Sequence, residues 1–214
     1  MIFTLFFFSF LLCSDSKNLI QDMYSYEDWN IKVSEDKNIY ESDSLLNNIR
    51  YIKIDQEIKK EPESILNTIQ SIENWNDIIS NKNIKTNLLL NIEDTLVVLQ
   101  KISSVIPFTK NRIYVFKLFK VNSNRIDWYI TSDYNDSLQN YLGDYDYKLS
   151  LGAGSWEIKN DNDEKKLIYR LYLDDEVNLS SKLISPFLSI SKAIILVIIL
   201  VIEAGKIFIS AFFS

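Results

Sequence analysis

Ser155-Trp-Glu-Ile-Lys159 and Lys166-Leu-Ile-Tyr-Arg-Leu-Tyr-Leu173 lead into a run, Leu183 to Ser214, in which only Lys192, Glu203 and Lys206 carry charge. The first two segments alternate apolar and polar side chains, the period of a half-buried strand. The run after them cannot stand in water alone. It has to lie against a sheet, cover an apolar ligand, or touch a membrane. Ala193 to Ile202 is uninterrupted but too short to span a bilayer, and longer stretches take in Glu203 and Lys206, at a spacing that lets them pair along a helix. A helix over about 186–213 would reach about 40 Å, long enough to cover a whole sheet.

The strands upstream make that sheet plausible on physical grounds. Ile84–Asn91, Thr95–Ile102, Arg112–Val121, Ile126–Ser132, Lys148–Leu151 with Ser155–Lys159, and Lys165–Leu173 are short, apolar on alternate positions and separated by brief polar turns such as Asn122-Ser-Asn124. Short turns between consecutive strands predict an antiparallel meander. Ile52, Ile54 and Ile58 share one parity and predict a further strand. Between them, Pro62 beside Glu61 and Glu63 suits a helix start, and Ile65, Leu66, Ile69, Ile72, Trp75 and Ile79 form one stripe, predicting a helix over 62–79. Leu19, Ile20, Met23, Tyr26 and Trp29 predict a shorter helix ahead of the sheet, with Trp29 packed on the core. Strands grouped in sequence, with helices at the edges, indicate an α+β domain.

Composition narrows the function. At 214 residues, with 47% hydrophobic and 24% charged residues, the chain has room for one domain and is globular in character. A net charge of −6 argues against a nucleic-acid partner. There is no histidine and Cys13 is the single cysteine, which removes Ser-His-Asp and Cys-His catalysis and imidazole or multi-thiolate zinc sites. The acidic groups of the loop at 133–147 match no calcium-loop spacing, and no cofactor or metal is expected.

Ile2 to Leu12 reads as the hydrophobic part of a signal peptide, so residues 1–16 are expected to be a leader and 17–214 a single domain. Cys13 closes that stretch, where a bacterial lipoprotein carries its acylated cysteine. Export follows as an expectation, either as a free protein or attached to a membrane through a lipidated Cys13. The tail from Ile207 to Phe213 is a second expected place of membrane contact.

Within this layout several segments resemble the START lipid-transfer domain and its helix-grip relatives, which include polyketide cyclase-like proteins. Glu61-Pro-Glu-Ser-Ile-Leu-Asn-Thr-Ile69 with Ile72-Glu-Asn-Trp75 is similar to the family's helix ending near an aromatic residue. Ile106-Pro-Phe-Thr-Lys-Asn-Arg-Ile-Tyr114 resembles its proline turn leading into a strand, Gly154-Ser-Trp-Glu-Ile158 its Gly-x-Trp strand, and Ile184-Ser-Pro-Phe-Leu188 the opening of its last helix. Two departures stand out. Ile113 replaces the family's aspartate, and the usual glycine before the last helix is absent from Asn178-Leu-Ser-Ser181.

The resemblance implies a curved antiparallel sheet of six to seven strands wrapped around the long C-terminal helix, enclosing a tunnel for a lipid or other apolar molecule. Parity then selects the inward side chains: Arg112, Tyr114 and Phe116; Trp128 and Ile130; Trp156; Tyr169 and Leu171. Ile194 and Ile198 would face them from the helix. Arg112 is a candidate for a ligand headgroup, although a strand-end ion pair serves it equally well. The expected function is non-enzymatic binding, and transfer of the ligand would need a loop near 133–147 or the terminal helix to swing aside. Two other readings remain open: a cyclase-like enzyme using Arg112, Tyr114 or a carboxylate, and a membrane-attached interaction protein whose cavity is filled by side chains.

Overall fold

Period-2 alternation in this chain resolves into one sheet with two unlike faces. The structure, a computed structural model, describes residues 16–34, 37–42, 51–79, 82–104, 110–143, 146–161 and 164–173. The leader with Cys13, and the terminal run with Ile194 and Ile198, lie outside the described residues. Ten strands are described: β1 Trp29–Ser34, β2 Lys37–Ser42, β3 Ile52–Glu57, β4 Ile84–Ile92, β5 Thr95–Ile102, β6 Asn111–Asn122, β7 Arg125–Ile130, β8 Asp146–Lys148, β9 Gly152–Asp161 and β10 Glu164–Leu173. Their spatial order is β1-β2-β3-β10-β9-β7-β6-β5-β4. All neighbours on this path are antiparallel, and β8 runs parallel to β6 at Asn111–Ile113, where β7 no longer flanks it.

The sheet is therefore larger than the six to seven strands expected. The difference lies in β8 and in a hairpin, β1–β2, whose first residue is Trp29. The helix that precedes it, α1 (Ser16–Ser25), stops before Trp29, and only Leu19, Ile20 and Met23 of the predicted stripe are buried on it. Trp29 is half-buried and packs with the cluster under α1, not with the main core, because the chain has already turned into β1.

The connection from β3 to β4 has to travel from the third strand of the sheet past β10, β9, β7, β6 and β5 to the opposite edge. It does so across the concave side, as α2 (Pro62–Gln70), a 3-10 turn (Ile72–Asn74) and α3 (Trp75–Ile78). The single helix predicted over 62–79 is interrupted at Ser71, whose backbone leaves the helical region at φ −82° and ψ 67°. Its hydroxyl donates to the carbonyl of Asn67 at 2.8 Å, a local bond that competes with the helical ladder. The apolar stripe survives the break: Ile65, Leu66, Ile69, Ile72, Trp75 and Ile79 are all buried in the main core.

That core is the concave side, and it takes the inward row of every strand from β3 to β10, with Tyr147 of the short β8 packed at its margin. The convex side is covered in two patches. α1 lies across β7, β9 and β10, burying Leu19, Ile20 and Met23 against Ala153 and Tyr172. Farther along, α4 (Asn135–Gln139) sets Leu138 on Val97, Leu99, Ile113 and Val115. The stretch at 133–147, expected to be a solvated loop able to swing aside, thus contains a short helix anchored to the outer face of the sheet. Its Asp146 is enclosed too, accepting hydrogen bonds from Lys101 Nζ (2.6 Å), Asn111 Nδ2 (2.8 Å) and the Gly143 N–H (2.8 Å).

Candidate functional site

Five neighbouring strands bring an aromatic wall to the middle of the concave side. Gln100 comes from β5, Tyr114 and Phe116 from β6, Trp128 from β7, Trp156 from β9, and Tyr169, Leu171 and Leu173 from β10; Trp75 and Ile79 close over them from α3 and the residue after it. A void of about 30 Å³ remains between these side chains. That is room for a water molecule or two, whereas ligand pockets run to several hundred Å³.

The wall is ordered ring by ring. Trp156 and Tyr169, opposite each other in the register, stack with centroids 4.8 Å apart at 20°. Phe116 meets the edge of Trp128 at 5.5 Å, and Trp75 lies over Phe116 at 6.4 Å while presenting its edge to Trp156 at 6.3 Å. Pairs of this geometry contribute about 0.5–1.5 kcal/mol each beyond the area they bury. Trp128 owes its position to Gly154, its register partner: a Cβ on Gly154 would come within 2.4 Å of Trp128 Nε1 and 2.8 Å of the Arg170 carbonyl oxygen. The glycine of the Gly-x-Trp segment is thus a floor under a tryptophan from the next strand.

A chain of neutral polar groups enters this wall from the β4 edge. Asn76 holds the backbone of Thr86 with two bonds, accepting from its N–H at 2.8 Å and donating to its carbonyl at 2.7 Å. Gln100 Nε2 donates to Thr86 Oγ1 at 3.0 Å, and the Tyr114 hydroxyl donates to Gln100 Oε1. Burial pushes the pKa of both Tyr114 and Tyr169 well above the usual phenol range, so both stay protonated. Tyr169 also feels Tyr114, and the Trp128 indole N–H leans towards its hydroxyl. The approach falls short of a hydrogen bond, leaving that buried N–H without a partner.

Of the side chains expected to line a site, Tyr114, Phe116, Trp128, Trp156, Tyr169 and Leu171 meet around the void. Ile130 shares the same core but stands away from the void. Arg112, at the start of β6, is half-buried and takes no part in the wall. Sequence reading had not singled out Gln100 as a site residue. A signal was present: it is an amide on the parity of Val98 and Ile102, inside an otherwise apolar row, and a buried amide demands partners. Trp75 had been read only as part of a helical stripe; the break at Ser71 is what lets it reach the wall, with its indole N–H donating to the Ile69 carbonyl at 3.1 Å. Among the described residues no three His, Cys, Asp or Glu side chains converge as metal ligands.

No family model and no curated protein sequence matches the chain. Solved structures do. The chain superposes on a STAR-related lipid transfer protein fragment from Xanthomonas axonopodis with a TM-score of 0.58 at 14% identity, covering 70% of this chain and 83% of the other. It matches human STARD10 with a TM-score of 0.61 at 13% identity, over 91% and 82% of the two chains, and human StAR-related lipid transfer protein 5 with a TM-score of 0.60 at 10% identity, over 89% and 96%. Identities this low speak for the fold alone. This chain has the α+β helix-grip fold of START domains.

Proposed function

We propose that this protein binds a lipid or comparable apolar molecule without chemically altering it, in the space between the aromatic concave wall and a helix formed by about 186–213. The observation that carries the reading is the void itself, a gap among the aromatic side chains of the wall, set in a fold whose solved examples include lipid transfer proteins by name. Shielding would be the mechanism. Each ligand methylene taken from water into such a wall is stabilised by about 0.8 kcal/mol. A long-chain ligand needs more room than 30 Å³, so loading requires the Trp75, Trp128 and Trp156 rings to change rotamer. The absence of histidine and the full burial of Tyr114 speak against acid–base chemistry at this wall.

The small void also favours a second reading, an interaction protein whose interior is filled by its own side chains. Mass spectrometry of organic extracts from the purified full chain separates the two. A lipid recovered near one per protein supports the carrier. No lipid, together with no saturable uptake of apolar probes, overturns it in favour of the filled interior.

Export is part of the same proposal. Ser16 is buried and its hydroxyl accepts a hydrogen bond from the Gly152 N–H at 3.3 Å, so Ser16, three residues after Cys13, packs with the domain. Acylation at Cys13 keeps Ser16 in place, whereas cleavage after it would remove that contact. Metabolic labelling with a fatty-acid analogue should mark the wild type and leave Cys13→Ser unmarked; equal labelling of both excludes lipidation at this position.

A further inference from the structure

The chemistry of the wall restricts the ligand further than its apolarity does. On the strands that line the void, β5, β6, β7, β9 and β10, cationic side chains on the concave parity stand only near strand ends: Arg112 at the start of β6, Lys120 near its other end, and Lys165 at the start of β10, where it pairs with Glu61 at 3.1 Å. Among the described residues none of them lines the void. The polar groups that do are neutral, and they keep unused hydrogen-bond donors. Gln100 spends one amide hydrogen on Thr86 and keeps a second, and the indole N–H of Trp128 has no partner at all. The Tyr169 hydroxyl beside it is a further neutral donor. An anion brought here would lose its hydration without gaining a counter-charge, at a cost far above that of burying a neutral group. A carbonyl, ester or hydroxyl oxygen needs only a neutral donor.

Resting on the apolar-ligand reading above, we infer that the site selects lipids with an uncharged head bearing a hydrogen-bond acceptor, held by Trp128 Nε1 and the Tyr169 hydroxyl, and rejects carboxylate and phosphate lipids of equal chain length.

The test compares hexadecanol, methyl palmitate and palmitate, presented to the full-length protein above the pH at which palmitate ionises, by displacement of a fluorescent apolar probe. Methyl palmitate and hexadecanol should bind at least about tenfold more tightly than palmitate. Tyr169→Phe should weaken methyl palmitate about five- to tenfold while leaving hexadecane, which has no head, unchanged. Arg112→Gln should leave the order of the three ligands as it was. Palmitate binding as tightly as the neutral probes, with its affinity lost in Arg112→Gln, would overturn the inference and leave the apolar-ligand reading standing. If none of these probes displaces, the apolar-ligand reading itself fails, and this inference with it.

Discussion

The two faces of β7, β9 and β10 are built from interleaved residues of the same strands, yet they follow opposite rules. Inward stand Ile126, Trp128, Ile130, Trp156, Ile158, Leu167, Tyr169 and Leu171, with no charge among them. Outward stand Arg125, Asp127, Glu157 and Arg170. Arg125 grips Asp127 with two bonds of 2.8 and 2.6 Å, and Arg170 reaches Glu157 at 2.9 Å. Both guanidinium groups then flank the Tyr24 ring of α1, at 3.9 and 4.1 Å, and the Tyr24 hydroxyl bonds Ser155 at 2.8 Å. Desolvation raises the Tyr24 pKa in spite of these cations, which shows how closely α1 is pressed down.

The contrast teaches where charge is affordable in this fold. A guanidinium on the outer face has a carboxylate beside it, an aromatic ring against it and water at its margin. The centre of the inner face offers none of these, so the polar groups that line the void are an amide, phenols and an indole, each uncharged at any ordinary pH. A single strand serves both faces because successive side chains point in opposite directions.

The comparison can be broken on either side. Trp156→Ala should have the largest effect, a loss of about 3–5 kcal/mol in denaturant unfolding, since it empties the centre of the inner wall and unstacks Tyr169. A loss under about 1 kcal/mol would mean the wall is not close-packed. Gly154→Ala should cost about 1–3 kcal/mol and alter tryptophan fluorescence, because the new methyl collides with Trp128. Unchanged fluorescence and stability would remove Gly154 as the floor of the site. On the outer face Arg170→Met should cost about 1–2 kcal/mol, because it removes the one guanidinium hydrogen-bonded to the largely covered Glu157 and leaves it the weaker attraction of Lys159 at 3.8 Å and of Arg125 across the register. Hydrogen exchange should rise selectively in α1; uniform protection would show that the arginine–tyrosine stack does not hold that helix.

The smallest expected effect is Asp146→Asn, about 1 kcal/mol at neutral pH. Burial pushes this carboxyl up, but its bonds from Lys101, Asn111 and Gly143 outweigh that and hold its pKa below the usual carboxylate range. A depressed folded pKa contributes stability above the unfolded value of about 3.9, and that stability is lost as pH falls through the lower folded value. The substitution should therefore flatten the decline of stability below about pH 4. An unchanged acid limb would show that Asp146 does not control it.

Much of the inner wall was legible because alternation is a local property. Tyr114, Phe116, Trp128, Trp156, Tyr169 and Leu171 could be assigned to one side from their own strands, and register then placed them together. The break at Ser71 was harder to see. A serine inside an apolar helical stripe reads as tolerable, and nothing in the local pattern shows that the backbone at Ser71 leaves the helical region at ψ 67° and ends α2 there. Strand β1 was missed for a related reason, as the spacing of Tyr26 and Trp29 continues a helical pattern across a chain that has already turned, whereas an extended piece around Asn38–Glu41, now β2, was legible.

By itself the sequence determined the class of fold, the parity of each strand and the exclusion of histidine and thiol chemistry, since these depend on composition and on near-neighbour periodicity. Tertiary structure alone decided which polar residues meet at the void. Gln100 and Tyr114 are 14 residues apart and Trp128 and Tyr169 lie on separate strands, so their proximity depends on strand order and register. It also decided how small the void is, because free volume is what remains after every neighbouring side chain has packed.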